Sequence, residues 1–168
     1  MAAPCYITWN GATSALTGPL AGVATSATSG TVKTMLQIKP GASKIRIIEW
    51  GYSFESTPAA PVRMELIETG TVFATVTAAT AVTAYNDVTG PASLTSLGTA
   101  ATGYTATAEG TITATRLLAY QEETSTAFKQ QFPLGREPEV NAASALRIRA
   151  TPTSAASVNV TCYLIWEE

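Results

Sequence analysis

Residues Leu146 to Glu168 read LRIRATPTSAASVNVTCYLIWEE. Core-type side chains occupy every second position of its second half: Val158, Val160, Cys162, Leu164 and Trp166. A period of two is that of a β-strand and not of a helix. The intervening positions include the apolar Tyr163 and Ile165, so we expect this strand to lie inside a sheet and to be covered on both faces at one end.

The first half of the same stretch also alternates. Leu146, Ile148 and Ala150 occupy one face, and two arginines occupy the other. The connection at 151–157 has the Pro and Ser content of a turn. These features predict that the two strands form a closing β-hairpin.

Alternation with a period of two recurs from Val32 to Trp166, and no stretch of ten residues shows helical spacing. The chain is rich in Ala and Thr, has 12 Gly and 9 Pro, and is only 13% charged. Such a composition suits short strands joined by Pro/Gly turns better than helices. We therefore expect an all-β fold: an antiparallel β-sandwich or jelly roll of about eight to ten short strands.

The pattern changes phase within residues 44–54. Ile45 and Ile47 share one face, whereas Ile48, Trp50 and Tyr52 fall on the other. Two interpretations fit this change. The favoured one is a central strand covered on both faces, and the alternative is a β-bulge at Ile47-Ile48.

Residues 1–30 are expected to form an amino-terminal edge strand, Tyr6 to Trp9, followed by an extended arm, with the sandwich domain spanning 31–168. The arm region is mostly Ala, Gly, Ser and Thr, and it resembles neither a secretory signal nor a core segment. It lies either on its own domain as a surface loop or along a neighbouring subunit. No window of the sequence approaches the length of a membrane span, and no membrane partner is expected.

Charge and residue types argue against several functions. The net charge of −2 is mixed in sign, so no basic face is available for nucleic acid. The absence of histidine removes the commonest general base and metal ligand, and no cofactor is expected.

Asn86 and Asp87 could hold a metal weakly, although a turn capped by their own side chains is favoured. Cys162 is expected as a buried free thiol, with a bridge to Cys5 as the alternative.

An enzyme of the glycosidase type would need two carboxylates across a groove. Six glutamates are the available candidates: Glu65, Glu109, Glu122, Glu123, Glu137 and Glu139. Most of them stand beside Gly, Pro or polar residues, as solvated surface carboxylates do. We therefore expect a protein that is not an enzyme.

Six residues are candidates for contact with a partner protein. Four are bulky apolar residues of the amino-terminal segment and two are arginines: Tyr6, Trp9, Leu16, Leu20, Arg147 and Arg149. Arg147 and Arg149 could grip a partner's carboxylates bidentately. Pairing with Glu65 or Glu49 inside the same sheet is the alternative, and it is slightly favoured.

Several segments carry a resemblance to a known class of proteins: CYITWNGATSALTGPLAGVAT (5–25), IRIIEWGYSF (45–54), GREPEV (135–140), LRIRAT (146–151) and NVTCYLIWEE (159–168). Together they resemble small virion structural proteins of tailed phages of actinobacteria, namely capsid decoration or head-stabilising proteins. The resemblance implies a β-sandwich or jelly roll, a homotrimer and the major capsid protein as partner. It also implies a place on the capsid exterior after assembly in the host cytoplasm, but it implies no individual contact residue.

A binding module of another class is the alternative function. In it, the chain would be a carbohydrate-binding, lectin-like β-sandwich on a virion or cell surface. Its sugar-stacking residues would be exposed aromatics such as Tyr85, Tyr104 and Tyr120. The tryptophans Trp50 and Trp166 are in phase with aliphatic residues and are expected in the core.

Overall fold

The computed structural model describes residues 3–11, 20–110 and 114–168. These residues contain strands and no helix. The strands, numbered in chain order, are Cys5–Trp9 (β1), Val23–Ala24 (β2), Lys33–Ile38 (β3), Ile45–Phe54 (β4), Val62–Glu68 (β5), Thr75–Ala78 (β6), Thr83–Ala84 (β7), Gly103–Ala108 (β8), Arg116–Glu123 (β9), Ala127–Gln131 (β10), Glu139–Val140 (β11), Leu146–Pro152 (β12) and Asn159–Glu167 (β13).

The strands form two antiparallel sheets that pack face to face. The seven-stranded sheet has the order β10-β4-β13-β1-β7, with β11 beside β4 and β2 beside β13. The six-stranded sheet has the order β6-β8-β3-β12-β5-β9. The expected β-sandwich is thus confirmed, and the jelly-roll connectivity stays a prediction. Three of the strands, β2, β7 and β11, are only two residues long.

The core lies between the sheets and is built from the alternating faces of the long strands. From β13 it receives Val160, Cys162, Leu164 and Trp166, all at most 1% exposed. The six-stranded sheet contributes the opposing aliphatic side chains, among them Leu36, Met64, Leu66 and Ile148. The predicted core face of the closing strand is therefore confirmed.

Strand β4 is central and also bulged. It lies between β10 and β13, and its register with β13 shifts so that Ile165 opposes Glu49 while Trp166 opposes Ile47. The extra residue is Ile48. Because of this bulge, Ile47 and Trp50 both face the core, although three positions separate them. The two interpretations of residues 44–54 are both partly right.

The predicted closing hairpin is wrong. Strand β12 pairs with β3 and β5 in the six-stranded sheet, whereas β13 pairs with β4 and β1 in the other. Residues 153–158 therefore cross from one sheet to the other. A short connection with Pro and Ser serves either purpose, and the choice depends on which partners bury the two strands.

The amino-terminal strand is also placed differently from expectation. Strand β1 is not an edge strand, because it lies between β13 and β7, and β2 pairs with β13. Beyond β1, the side chain of Asn10 continues the pairing: it donates to the Val160 carbonyl at 2.8 Å and accepts from the Cys162 N–H at 2.7 Å. Strand β1, Asn10 and strand β2 therefore belong to the sandwich.

Candidate functional site

Two of the predicted contact residues, Arg147 and Arg149, are buried. Arg147 is 0% exposed and donates to the carbonyls of Val72 (2.7 Å) and Glu109 (3.1 Å). Arg149 donates to the carboxylate of Glu65, its cross-strand neighbour on β5, at 3.0 Å. Arg149 thus pairs with Glu65, as in the intra-sheet alternative, whereas Arg147 bonds to Val72 and Glu109. Neither arginine is displayed to a partner.

The predicted apolar contact residues fall into different environments. Tyr6 is 2% exposed, and its hydroxyl donates to the Pro91 carbonyl at 2.9 Å. Leu20 is half-buried and lies against Gly11, while Leu16 lies outside the described residues. Trp9 is half-exposed on the outer face of the seven-stranded sheet. Trp9 is therefore the member of this set best placed to meet another molecule.

Residues 85–97, none of which was predicted to contact a partner protein, carry several exposed apolar side chains. Four large side chains of this segment are exposed: Tyr85 (58%), Val88 (91%), Leu94 (57%) and Leu97 (45%). We call it the 85–97 segment. It contains the turn dipeptides Asn86-Asp87 and Gly90-Pro91, which predict a loop. The sequence gives no signal that the apolar side chains of this loop face solvent.

Contacts with the ends of β1 and β13 hold the 85–97 segment in place. The Cys5 N–H donates to Asn86 Oδ1 at 2.9 Å, and the Leu94 N–H donates to a Glu168 carboxylate oxygen at 2.7 Å. Gly41 permits a close approach, since a Cβ there would stand 1.8 Å from the Leu94 carbonyl oxygen. The exposed apolar side chains are thus displayed on an ordered support.

Asp87 shows how the segment turns. Its carboxylate accepts from both the hydroxyl (2.7 Å) and the N–H (2.9 Å) of Thr89. These two hydrogen bonds lower the pKa of Asp87 below its usual value. Asp87 thus caps its own turn as expected, whereas the Asn86 side chain bonds to Cys5 and Ala3.

A second surface feature is a groove on the outer face of the seven-stranded sheet. Register places Trp9, Tyr163, Gly51 and Lys129 in one row across β1, β13, β4 and β10. The groove beside this row has a volume of about 380 Å³. It is lined by Trp9, Tyr52, Ser53, Ala127, Phe128, Lys129, Thr161 and Tyr163. We call it the Trp9 groove.

The rings of Trp9 and Tyr163 in the Trp9 groove are held in fixed positions. Their centroids are 4.8 Å apart, at an angle of 39°. The Tyr163 ring lies over Gly51, where a Cβ would come within 2.7 Å of it, and the Tyr163 hydroxyl donates to Glu49. Burial, together with the bond to Glu49, raises the pKa of Tyr163, so this hydroxyl stays protonated at neutral pH.

The tyrosines named for sugar binding are not brought together. Tyr104 is on β8 and Tyr120 on β9, which three strands separate in the six-stranded sheet. Tyr85 follows β7 at the edge of the other sheet. An aromatic pair on the outer face, Trp9 with Tyr163, joins residues far apart in sequence, and only strand register could have revealed it.

The candidate glutamates bond mainly to neighbouring side chains. Glu65 and Glu109 contact the buried arginines, Glu123 accepts from the Tyr52 hydroxyl, and Glu139 pairs with Lys44. Within residues 3–11, 20–110 and 114–168, no group of three or more His, Cys, Asp or Glu side chains is arranged to hold a metal ion. Cys5 and Cys162 are free thiols on opposite faces of the sheet.

In the described part of the chain, no helix is long and apolar enough to cross a membrane. Comparisons with protein-family models, with curated proteins and with solved structures find no match. The function is therefore argued from the two surfaces just described, together with the resemblance in the sequence.

Proposed function

We propose that this protein is a non-enzymatic structural protein of a virion that decorates and stabilises a phage capsid. In this proposal it assembles as a homotrimer, binds the major capsid protein and lies on the capsid exterior. The resemblance of five sequence segments to decoration proteins supports the assignment to this class. The 85–97 segment is the observation that carries the proposal at the level of structure.

Large apolar side chains on an ordered surface favour a protein–protein contact. Val88 is 91% exposed, and Tyr85 and Leu94 each expose more than half of their surface. Several large apolar side chains exposed along one short segment favour an interaction site, because each loses unfavourable contact with water when a partner covers it. An anchored segment also loses little conformational entropy on binding.

The proposal assigns Tyr6 a supporting role. Its buried hydroxyl donates to the Pro91 carbonyl, so Tyr6 positions the 85–97 segment without contacting a partner itself. Trp9 and Leu20 stay candidates for direct contact, since both are partly exposed.

Substitutions that place charge on the 85–97 segment test the proposal. Val88→Glu and Leu94→Glu, separately and combined, should leave the thermal unfolding midpoint nearly unchanged, because both side chains already face solvent. They should lower the mass in solution from about three times 17.4 kDa towards that of one chain. They should also reduce retention on purified capsids of the phage that encodes the protein.

Leu134→Glu is the matched control. Leu134 is 86% exposed and lies outside the 85–97 segment, in the loop after β10. It should change neither mass nor capsid retention. A wild-type protein that is monomeric and does not bind capsids would refute the decoration proposal. A trimer that is unaffected by Val88→Glu, by Leu94→Glu and by their combination would refute the assignment to this segment.

A further inference from the structure

The Trp9 groove has a composition that differs from that of the 85–97 segment. Two aromatic rings lie at one side, and the hydroxyl side chains of Ser53 and Thr161 lie along it. At the far end of the row, the Lys129 ammonium stands 4.0 Å from a Glu49 carboxylate oxygen. The groove therefore offers an apolar surface together with hydrogen-bond donors and acceptors.

Lys129 is the charged residue among those that line the groove, and the Glu49 carboxylate, which lies 4.0 Å from its ammonium, offsets that charge. An anionic ligand would have to compete with Glu49 for Lys129, whereas a neutral polar ligand can accept a hydrogen bond from Lys129 while the pair persists. Complementarity of charge therefore favours a neutral ligand that carries hydroxyl or amide groups.

The size of the groove points to a small molecule or to the end of an oligomer. Its volume of about 380 Å³ is near the lower end of the roughly 300–1,000 Å³ typical of small-molecule sites. A pyranose ring has one face of C–H groups, which are weakly positive, and a rim of hydroxyls. The negative face of an aromatic ring attracts such C–H groups.

The rings of Trp9 and Tyr163 are ordered before a ligand binds. The Tyr163 ring is fixed by its seat over Gly51 and by its bond to Glu49, and Trp9 packs against it. A binding surface that is already ordered loses less entropy when a weakly held ligand arrives.

We propose that the Trp9 groove binds a neutral saccharide, with a pyranose face stacked on Trp9 and Tyr163 and its hydroxyls bonded to Ser53, Thr161 and Lys129. This site differs from the exposed tyrosines considered for a lectin-like function. It does not involve the 85–97 segment, so its failure would leave the assignment of capsid contact to that segment unaffected.

Tryptophan fluorescence is a selective probe of this groove. Trp50 and Trp166 are 0% exposed, so acrylamide in solution quenches Trp9 in preference to them. The full chain is titrated with cellotetraose, maltotetraose and N-acetylchitotetraose, and with tetragalacturonate as a charged comparison. At least one neutral probe should shield Trp9 in a saturable way, at millimolar concentration, and tetragalacturonate should not.

Variants then locate the binding site by saturation-transfer NMR, which needs no tryptophan signal. Trp9→Ala should weaken binding of the active probe by roughly tenfold or more, as expected for loss of a stacking contact. Trp9→Phe, which keeps an aromatic ring, should weaken binding of the probe less than Trp9→Ala does. Tyr120→Ala is the control, since Tyr120 is an exposed aromatic residue on the other sheet and should leave binding unchanged.

Three outcomes would overturn the proposal. In the first, no neutral probe shields Trp9. In the second, Tyr120→Ala lowers binding as much as Trp9→Ala does, while Trp9→Phe stays folded and binds like the wild type. In the third, Trp9 becomes more accessible to acrylamide on dilution without any sugar, which would show that the groove is a contact between subunits.

Discussion

Trp166 illustrates how a single side chain contributes to stability in this protein. It is 0% exposed, lies in the core against Tyr6, and donates from its indole N–H to Glu168 at 3.1 Å. Period-two spacing was enough to predict its burial, because four neighbours of the same face are aliphatic or thiol side chains. Arg147 shows the opposite case: it is as fully buried, although its residue type is rarely found inside.

Replacing Trp166 with Ala should reduce the free energy of unfolding by about 3–5 kcal/mol, because it removes a large side chain from a closed core. The measurement is the denaturation midpoint in guanidinium chloride. Leu134→Ala is the comparison, since Leu134 is exposed and should shift stability by no more than about 0.5 kcal/mol. Equal midpoints for the two variants would contradict the burial of Trp166.

Arg147→Ala should reduce the free energy of unfolding by about 3–5 kcal/mol. The substitution leaves the Glu109 carboxylate and the carbonyl groups of Val72 and Glu109 without their charged donor. Hydrogen exchange should also rise near Ala74, whose N–H is held by the neighbouring Gln37 side chain. Arg136→Ala, at an exposed position, is the control. If Arg147→Ala behaves like Arg136→Ala, the arginine does not hold these segments.

Individual strands show where local pattern is informative and where it is not. Alternation over residues 32–39, 44–54 and 62–68 predicts three strands, and β3, β4 and β5 lie there within one or two residues at each end. The polar residues 121–126 predict a break between strands, yet residues 121–123 complete β9 at an edge of the six-stranded sheet. One edge of such a strand is exposed to solvent, so polar residues are common in it and its composition resembles that of a loop.

The anchoring of the 85–97 segment by Glu168 should depend on pH. Burial raises the pKa of this carboxyl, but hydrogen bonds from Ser93, Leu94, Trp166 and Thr95 outweigh it, and the pKa is lowered overall. A lowered folded-state pKa means that the stabilisation is complete above the unfolded value of about 4.5 and is lost as pH falls through the folded value.

Protection of the Leu94 amide from hydrogen exchange, corrected for intrinsic rates, should therefore fall as the solution is acidified below about pH 4.5. Glu168→Gln should remove this pH dependence while retaining the residue's size. A wild-type protein whose Leu94 protection does not change over this range would show that the carboxylate is not the anchor.

At the scale of the whole molecule, both ends of the chain meet in the seven-stranded sheet. Strand β1 pairs with β13, and the Glu168 N–H donates to the Pro4 carbonyl. The expected boundary between an arm and a domain at residue 30 stays a prediction, but β1 and β2 lie on the sandwich side of any such division.

Deletion of residues 2–25 should therefore unfold the protein and not merely remove an arm. It takes away β1 and β2, and it exposes Trp166 and the edge of β13. The expected result is the loss of a cooperative thermal transition by circular dichroism, with Leu134→Ala as a variant that retains it. A truncated chain with an unchanged transition would contradict the role of β1 in the sandwich.

The sequence by itself determined the β class, most strand positions, the core face of β13 and the scarcity of catalytic side chains. Each of these follows from local properties, namely side-chain alternation, turn residues and composition. Tertiary structure alone decided that β12 and β13 join different sheets, that Arg147 is buried, and that Trp9, Tyr163 and Gly51 stand in one row. The reason is that pairing partner and register depend on contacts between residues far apart in the chain, for which a single sequence carries no periodic signal.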